Sequence, residues 1–362
     1  MQHTQSSSIP TSGTVTARAP TGTWLIRLPL NGSLLVDKRA LFAASLLTLL
    51  LLVSIVVSLC LGATNYSPAE VLDALFGESN PMTAFILNEL RLPRVIAGIL
   101  SGAGFALAGC LMQTLARNRL ATPGIIGIDN GATAFAVASV VGLVTSLATT
   151  EMALIGAATA TALAFGLAGG AGVRGYRFII AGIGIGALFG AFTQLMLARA
   201  HIDVANQAYP WTVGSLNARP ENAVFILAVG LAIGLVGALF LARALKILRF
   251  SEPVARGLGV RVNACRYTSL VLAVALTAMA VAVAGPVGLV GLIGPEIARH
   301  LSSTRSVPFI SSALAGALVM VLADTVGRMM LMPLEVPVGI VTAIVGGPYL
   351  LWILLVSPRN TP

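Results

Sequence analysis

The chain has 362 residues, of which 57% are hydrophobic and only 10% charged, and its mean hydropathy is +0.92. A soluble domain carries about 25% charged residues, so this chain lacks the polar side chains to cover a water-facing surface, and its natural solvent is lipid. The net charge of +9, from 22 basic and 13 acidic residues, is no argument for nucleic acid here, because positive charge collects in the cytoplasmic loops of membrane proteins.

Residues 1–38 are rich in Ser, Thr and Pro and hold no early apolar run, so they are expected to form a disordered cytoplasmic tail. The first apolar stretch begins near Leu41 and is too long for a signal-peptide core. It reads as a retained first helix. A crossing needs about 20 apolar residues, and the runs that meet this are 40–62, 93–114, 123–146, 152–171, 177–199, 222–244, 266–284, 286–303, 307–328 and 335–356. The run 286–303 is short and interrupted by Gly and Pro, which predicts a broken or partly re-entrant segment. The fold class is therefore an all-α polytopic membrane protein with about ten transmembrane helices, in one membrane domain over 39–362. Ten crossings put both termini on one side. With that side in the cytoplasm, 17 of the 22 basic residues face inward, and Arg91, Arg94, Arg199, Arg219 and Arg328 face outward. That asymmetry supports both the orientation and the number of crossings.

Local signals add two short helices. Ser67-Pro68-Ala69-Glu70 has the form of a capping box with Pro in the first turn, predicting an interfacial helix over 67–76. The longest cytoplasmic loop, 245–265, contains Ser251-Glu252-Pro253 as a helix start and Gly257 and Gly259 as its stop. Cys60, Cys110 and Cys265 lie far apart without a CxxC pair and read as apolar fillers. No GxxxxGK[ST] run is present, so the chain carries no phosphate-binding loop.

Several constellations invite a functional reading. Arg91-Leu92-Pro93-Arg94 puts two arginines at an outer helix mouth. Either they reach toward lipid headgroups, or they form a cationic patch for the carboxylates of an external partner, which Arg328 could join. The segment Ser251–Val260 suits contact with a soluble subunit, or is a solvated linker. Arg117-Asn118-Arg119-Leu120-Ala121-Thr122-Pro123 leads into Gly127-Ile128-Asp129-Asn130-Gly131. Gly285-Pro286-Val287-Gly288 runs on to Gly294-Pro295-Glu296-Ile297-Ala298-Arg299. Then follow Ala323-Asp324-Thr325-Val326-Gly327-Arg328, Pro333-Leu334-Glu335-Val336-Pro337-Val338-Gly339 and Gly346-Gly347-Pro348.

In this order, from about residue 40 to 356, these motifs resemble the permease subunits of binding-protein-dependent importers for ferric siderophores, haem and cobalamin, the FecCD type of ABC importer with the type II permease fold. Trp211-Thr212-Val213-Gly214-Ser215-Leu216-Asn217 is similar to members that serve ferric siderophores. The resemblance implies a non-enzymatic permease in the inner membrane that moves a ferric siderophore, with haem or cobalamin as the alternative cargo. It implies no cofactor on this chain, with ATP and Mg held by partner ATPases. The implied partners are a second permease, identical or paralogous, two ATPase subunits and a periplasmic or lipid-anchored binding protein. It implies that Arg91, Arg94 and Arg328 receive acidic side chains of the binding protein. Ser251, Glu252, Ala255, Arg256, Leu258 and Gly259 would form the coupling helix against the ATPase. Gly182, Gly184 and Gly186 resemble the helix lining the translocation path, although small residues serve helix–helix packing equally well. Two departures stand out: Ser251-Glu252 where the family has Gly-Glu, and Pro295-Glu296 where it has Pro-His. Glu296 is expected to pair with Arg299 at i,i+3 instead.

Two rivals belong to other classes. An ion-coupled carrier places ionisable groups near the bilayer midplane, whereas Asp129, Glu296 and Asp324 fall near span ends. An intramembrane enzyme needs a constellation that His3, His201 and His300, without an HExxH run, do not supply.

Overall fold

The computed structural model describes residues 23–28, 32–77, 80–143, 147–168, 176–217, 219–302 and 307–356. Residues 1–22 of the tail, and Arg18, Arg174, Arg305 and Arg359 of the charge tally, lie outside the described residues. In chain order the elements are β1 (Thr23–Leu28), β2 (Gly32–Asp37), α1 (Lys38–Cys60), α2 (Pro68–Phe76), α3 (Pro81–Phe85), α4 (Leu92–Ala116), α5 (Ile128–Val140), α6 (Thr149–Ala168), α7 (Tyr176–Arg199), α8 (Ile202–Val213), α9 (Glu221–Leu248), α10 (Glu252–Gly257), α11 (Val262–Ala284), α12 (Val290–Leu301), α13 (Phe309–Met330) and α14 (Val338–Val356). A π-helical segment, Ile86–Arg91, joins α3 to α4, and a 3₁₀ turn, Pro123–Ile126, precedes α5.

The expected tail is corrected in its second half. β1 and β2 pair as an antiparallel hairpin with Thr23 opposite Asp37 and Leu28 opposite Gly32. The two strands are short runs of mostly apolar residues, Trp24-Leu25-Ile26 and Leu34-Leu35-Val36, bounded by polar residues and glycine. Asp37 ends β2 and caps α1 by accepting from the Arg39 N–H.

Ten helices match the ten runs: α1, α4, α5, α6, α7, α9, α11, α12, α13 and α14. Seven described helices are long and apolar enough to cross a membrane. The other three are α5, α12 and α14, of which α14 is apolar over the shorter stretch Val338–Trp352. α5 has 13 residues and α12 has 12, about 20 Å and 18 Å at 1.5 Å per residue, short of a hydrocarbon core of about 30 Å. The 3₁₀ turn before α5 and the non-helical 285–289 before α12 make up the missing length inside protein rather than lipid, as irregular backbone in a membrane requires.

α4 is the central helix. Every residue from Ser101 to Gln113 is buried, the pattern of a helix enclosed on all sides. Its neighbours approach closely because glycines face one another. A Cβ on Gly102 would strike the Gly316 carbonyl of α13, and one on Gly109 would strike the Gly291 carbonyl of α12. α5 and α6 cross in the same manner, where a Cβ on Gly131 would lie 2.6 Å from the Gly156 carbonyl oxygen. In lipid, close packing rather than hydrophobic expulsion holds helices together, so small residues mark the crossings. α1, by contrast, buries a stripe of Ala43, Leu47, Leu51, Ser54 and Ser58, with Leu59 and Cys60 at its end, and leaves Phe42, Leu49, Leu52 and Val53 outward.

Both short helices form as read. Ser67 and Glu70 complete the reciprocal capping box of α2, with the Ser67 N–H donating to Glu70 at 2.7 Å. That bond and the Ser67 hydroxyl hold the Glu70 carboxyl below its ordinary pKa. α10 starts at Ser251, whose hydroxyl oxygen accepts from the Val254 N–H, and the turn after it uses Gly259 at φ 79°.

Candidate functional site

Charged side chains gather at both ends of the bundle, named here the Arg94 end and the Arg119 end. At the Arg94 end, α4 begins with Arg94 and α13 finishes with Asp324 and Arg328. Asp324 is 4% exposed and is gripped from two sides. Arg94 Nε lies 3.1 Å from both Asp324 oxygens and Nη2 3.0 Å from Oδ1. Arg328 Nε lies 3.2 Å from Oδ2. The remaining edge of Arg94 reaches out, with Nη1 2.7 Å from Oε2 of Glu335, a carboxylate 47% exposed. Arg328 also donates from Nη2 to the Ser58 carbonyl and hydroxyl at 3.0 and 2.6 Å.

Arg91 lies deeper in the chain. It is 7% exposed and donates to the Leu59 and Thr64 carbonyls, with its guanidinium 5.0 Å above the Tyr66 ring. The last carbonyls of a helix have no intrahelical acceptor role to fill, and Arg91 satisfies one at the end of α1 together with the turn beyond it. The sequence reading had Arg91, Arg94 and Arg328 presented together to an outside partner. The structure brings all three to one pocket but commits each to partners within the chain.

That pocket has a volume of about 660 Å³ and includes Arg219, Glu89 and Glu335 alongside the three arginines. Arg219 was counted in the sequence only as one more outward basic residue. It donates from Nε and Nη2 to the Ser215 carbonyl at 2.9 and 2.7 Å and sits 4.2 Å above the Trp211 ring. Burial, with a contribution from the charge of Arg94, lowers its pKa to about 10, so it stays cationic at neutral pH. Trp211 to Asn217 therefore forms a joint. Gly214 turns at φ 85°, the Ser215 N–H donates to the Ala284 carbonyl at 2.8 Å, and the Gly339 N–H donates to the Gly214 carbonyl at 3.3 Å. This stretch links α8 to the start of α14 and the end of α11.

At the Arg119 end, Glu296 is 3% exposed. The expected pair with Arg299 forms at 2.7 Å, and Arg119 and His300 approach at 3.3 and 3.7 Å. Arg299 also donates to Gln113 of α4 at 2.6 Å, and Gln113 donates to the Gly291 carbonyl at 3.3 Å. Glu296 thus sits as a carboxylate among three cationic or protonatable groups. Arg117 ends α4 in the left-handed conformation, φ 52°, and donates to the Leu248 carbonyl of α9.

α10 lies at the same end. Glu252 pairs with Arg256 one turn on and with Arg266 of α11, both at 2.7 Å. Arg256, Leu258 and Gly259 are exposed, with Val254 beside them at 48%. Ala255, between them, is fully buried in a cluster with Leu245, Leu248, Val262 and Cys265. It seats the helix on the chain.

The glycines of α7 divide in the same way. A Cβ on Gly182 would lie 2.6 Å from the Ile125 carbonyl oxygen, and one on Gly186 3.0 Å from Asn130. These two pack α7 against the 3₁₀ turn and α5. Gly184 alone of the three faces open space. Beside this packing sits Asp129, whose Oδ1 is buried without a hydrogen-bond partner among the described residues. Its Oδ2 occupies the space that a Cβ on Gly124 would need, 2.5 Å away.

The described helices form a membrane bundle with clustered charge at both ends and a closely packed glycine core. The chain belongs to the FecCD transport family, whose sequence profile matches residues 50–356. It is 36% identical to the Fe(3+)-citrate import system permease protein YfmE of Bacillus subtilis, over 90% of this chain and 98% of that protein. It is 33% identical to the ferric enterobactin transport system permease protein FepG of Escherichia coli, over 90% and 99%. A solved inward-facing structure of a transporter assigned to the metal-chelate ABC type superposes with a TM-score of 0.75 at 25% identity, covering 88% of this chain and 99% of the other.

Proposed function

We propose that this chain is the membrane-spanning permease subunit of an ABC importer that carries a ferric siderophore or similar ferric chelate into the cytoplasm. The observation that carries the reading is end-to-end similarity to permeases named for ferric citrate and ferric enterobactin. The Arg94 end faces outward and receives a soluble binding protein. The Arg119 end faces the cytoplasm, in keeping with the positive-inside bias, and α10 contacts a separate ATPase that binds ATP and Mg. A second permease chain completes the pathway. Closure of the ATPases moves α10, and the Glu252–Arg266 pair passes that movement to α11, which packs on α4 and α9.

The test is uptake of iron-55 in a strain lacking this chain, with and without its plasmid-borne copy. Ferric citrate, a ferric hydroxamate and a ferric catecholate are offered in turn, with iron-55 haem and cobalt-57 cyanocobalamin as further arms. Restored uptake of a ferric chelate supports the reading, whereas restoration of haem or cobalamin alone replaces the cargo. Uptake that persists without the ATPase and stops with an uncoupler would sink it. Within this reading, Glu252→Ala is expected to lower uptake and chelate-stimulated ATP hydrolysis several-fold while membrane insertion stays normal. Unchanged ATPase stimulation would remove Glu252 from the coupling route.

A further inference from the structure

The pocket at the Arg94 end holds four guanidinium groups, Arg91, Arg94, Arg219 and Arg328, with Glu89 and Glu335 on its walls and Asp324 beneath. Four cations against three carboxylates leave room for one further negative charge. Arg91 and Arg219 satisfy neutral carbonyl oxygens, so they add charge to the pocket without cancelling any.

The carboxylates around Arg94 are of two kinds. Asp324 is buried and shared with Arg328, so removing it would strand two buried cations. Glu335 is half exposed and holds only the Nη1 edge of Arg94. It lies in the non-helical stretch between α13 and α14, where Met332 and Pro333 form the pocket rim. An exposed ion pair contributes little and exchanges readily. A guanidinium presents separate edges, so it can change partner on one while keeping the other.

We propose that Glu335 is an internal placeholder for an acidic side chain of the protein that docks on this face. The incoming carboxylate takes the Nη1 edge of Arg94, Glu335 swings out toward solvent, and Asp324 keeps Arg94 in place throughout. This rests on the outward placement of the Arg94 end and on a soluble partner docking there.

The test uses the full chain in neutral-lipid nanodiscs at low ionic strength, titrated with an octaglutamate peptide and, as control, octaglutamine. Glu335→Gln is expected to bind octaglutamate at least about threefold tighter than wild type. Glu89→Gln makes the same charge change in the same pocket without touching Arg94, and is expected to gain clearly less. Arg94→Lys added to Glu335→Gln keeps the net charge but offers no second edge, and should abolish the gain. Equal or weaker binding by Glu335→Gln overturns the proposal, as does an equal gain in Glu89→Gln or a gain that survives Arg94→Lys. Peptide binding requires no chelate, so the expected pattern alongside failure to restore uptake in every arm would overturn the importer reading and leave this exchange standing.

Discussion

Asp324→Asn is expected to destabilise the folded chain by about 3–5 kcal/mol, the usual cost of removing one member of a buried ion pair. Asp324 is the shared counter-ion of Arg94 and Arg328, whose side chains are 12% and 8% exposed. Without it the two guanidinium groups face each other, with only Glu335 at the far edge of Arg94. Unfolding of purified protein by mixed detergent would show the loss as an earlier midpoint. Adding Arg328→Met to Asp324→Asn should recover part of it, because one of the two opposed cations is gone. An unfolding midpoint for Asp324→Asn equal to wild type would show that Asp324 is not the anchor of this end.

The second large effect is steric. Gly109→Ala would drive a methyl group into the Gly291 carbonyl, where backbone meets backbone and no side chain can rotate away. Overpacking of this kind costs about 1–3 kcal/mol, and here the displaced carbonyl also accepts from Gln113. Gly109→Val should therefore abolish recovery of monodisperse protein, with Gly109→Ala intermediate. Gly184→Ala is the matched control, since a Cβ there meets nothing within 4 Å and Ala is the better helix former. Equal stability of Gly109→Ala and Gly184→Ala would refute the close crossing of α4 and α12.

What was legible in the sequence divides along physical lines. Length of apolar run and capping chemistry are local, and they located the ten crossings, the Ser67–Glu70 cap and the Ser251 start of α10. The i,i+3 pair of Glu296 and Arg299 was equally local. Orientation was not. A helix that is apolar all round carries no periodic mark of which face turns inward, so nothing separated Gly184 from Gly182 and Gly186, and the six residues of α10 are too few to show a period that would set Ala255 apart from its exposed neighbours. The arginines were hidden by distance. Arg94 finds Asp324 230 positions away, and Arg91 answers carbonyls whose need arises only where α1 ends. The hairpin at 23–37 follows 22 residues rich in Ser, Thr and Pro, whose polarity dominates the composition of the whole segment.

The glycine crossings set a mechanical limit. Where two backbones touch directly, no side chain is left to change rotamer and let one helix slip along the other. α4 with α12 and α13 forms one meshed set, and α5 with α6 forms another, like gear teeth without clearance. Each set turns as a block or not at all. Any hinge of this permease has to lie outside these crossings, and the 285–289 loop is no exception to the meshing: Gly285 sits at φ 73°, and a Cβ on it would lie 2.9 Å from the Gly214 Cα.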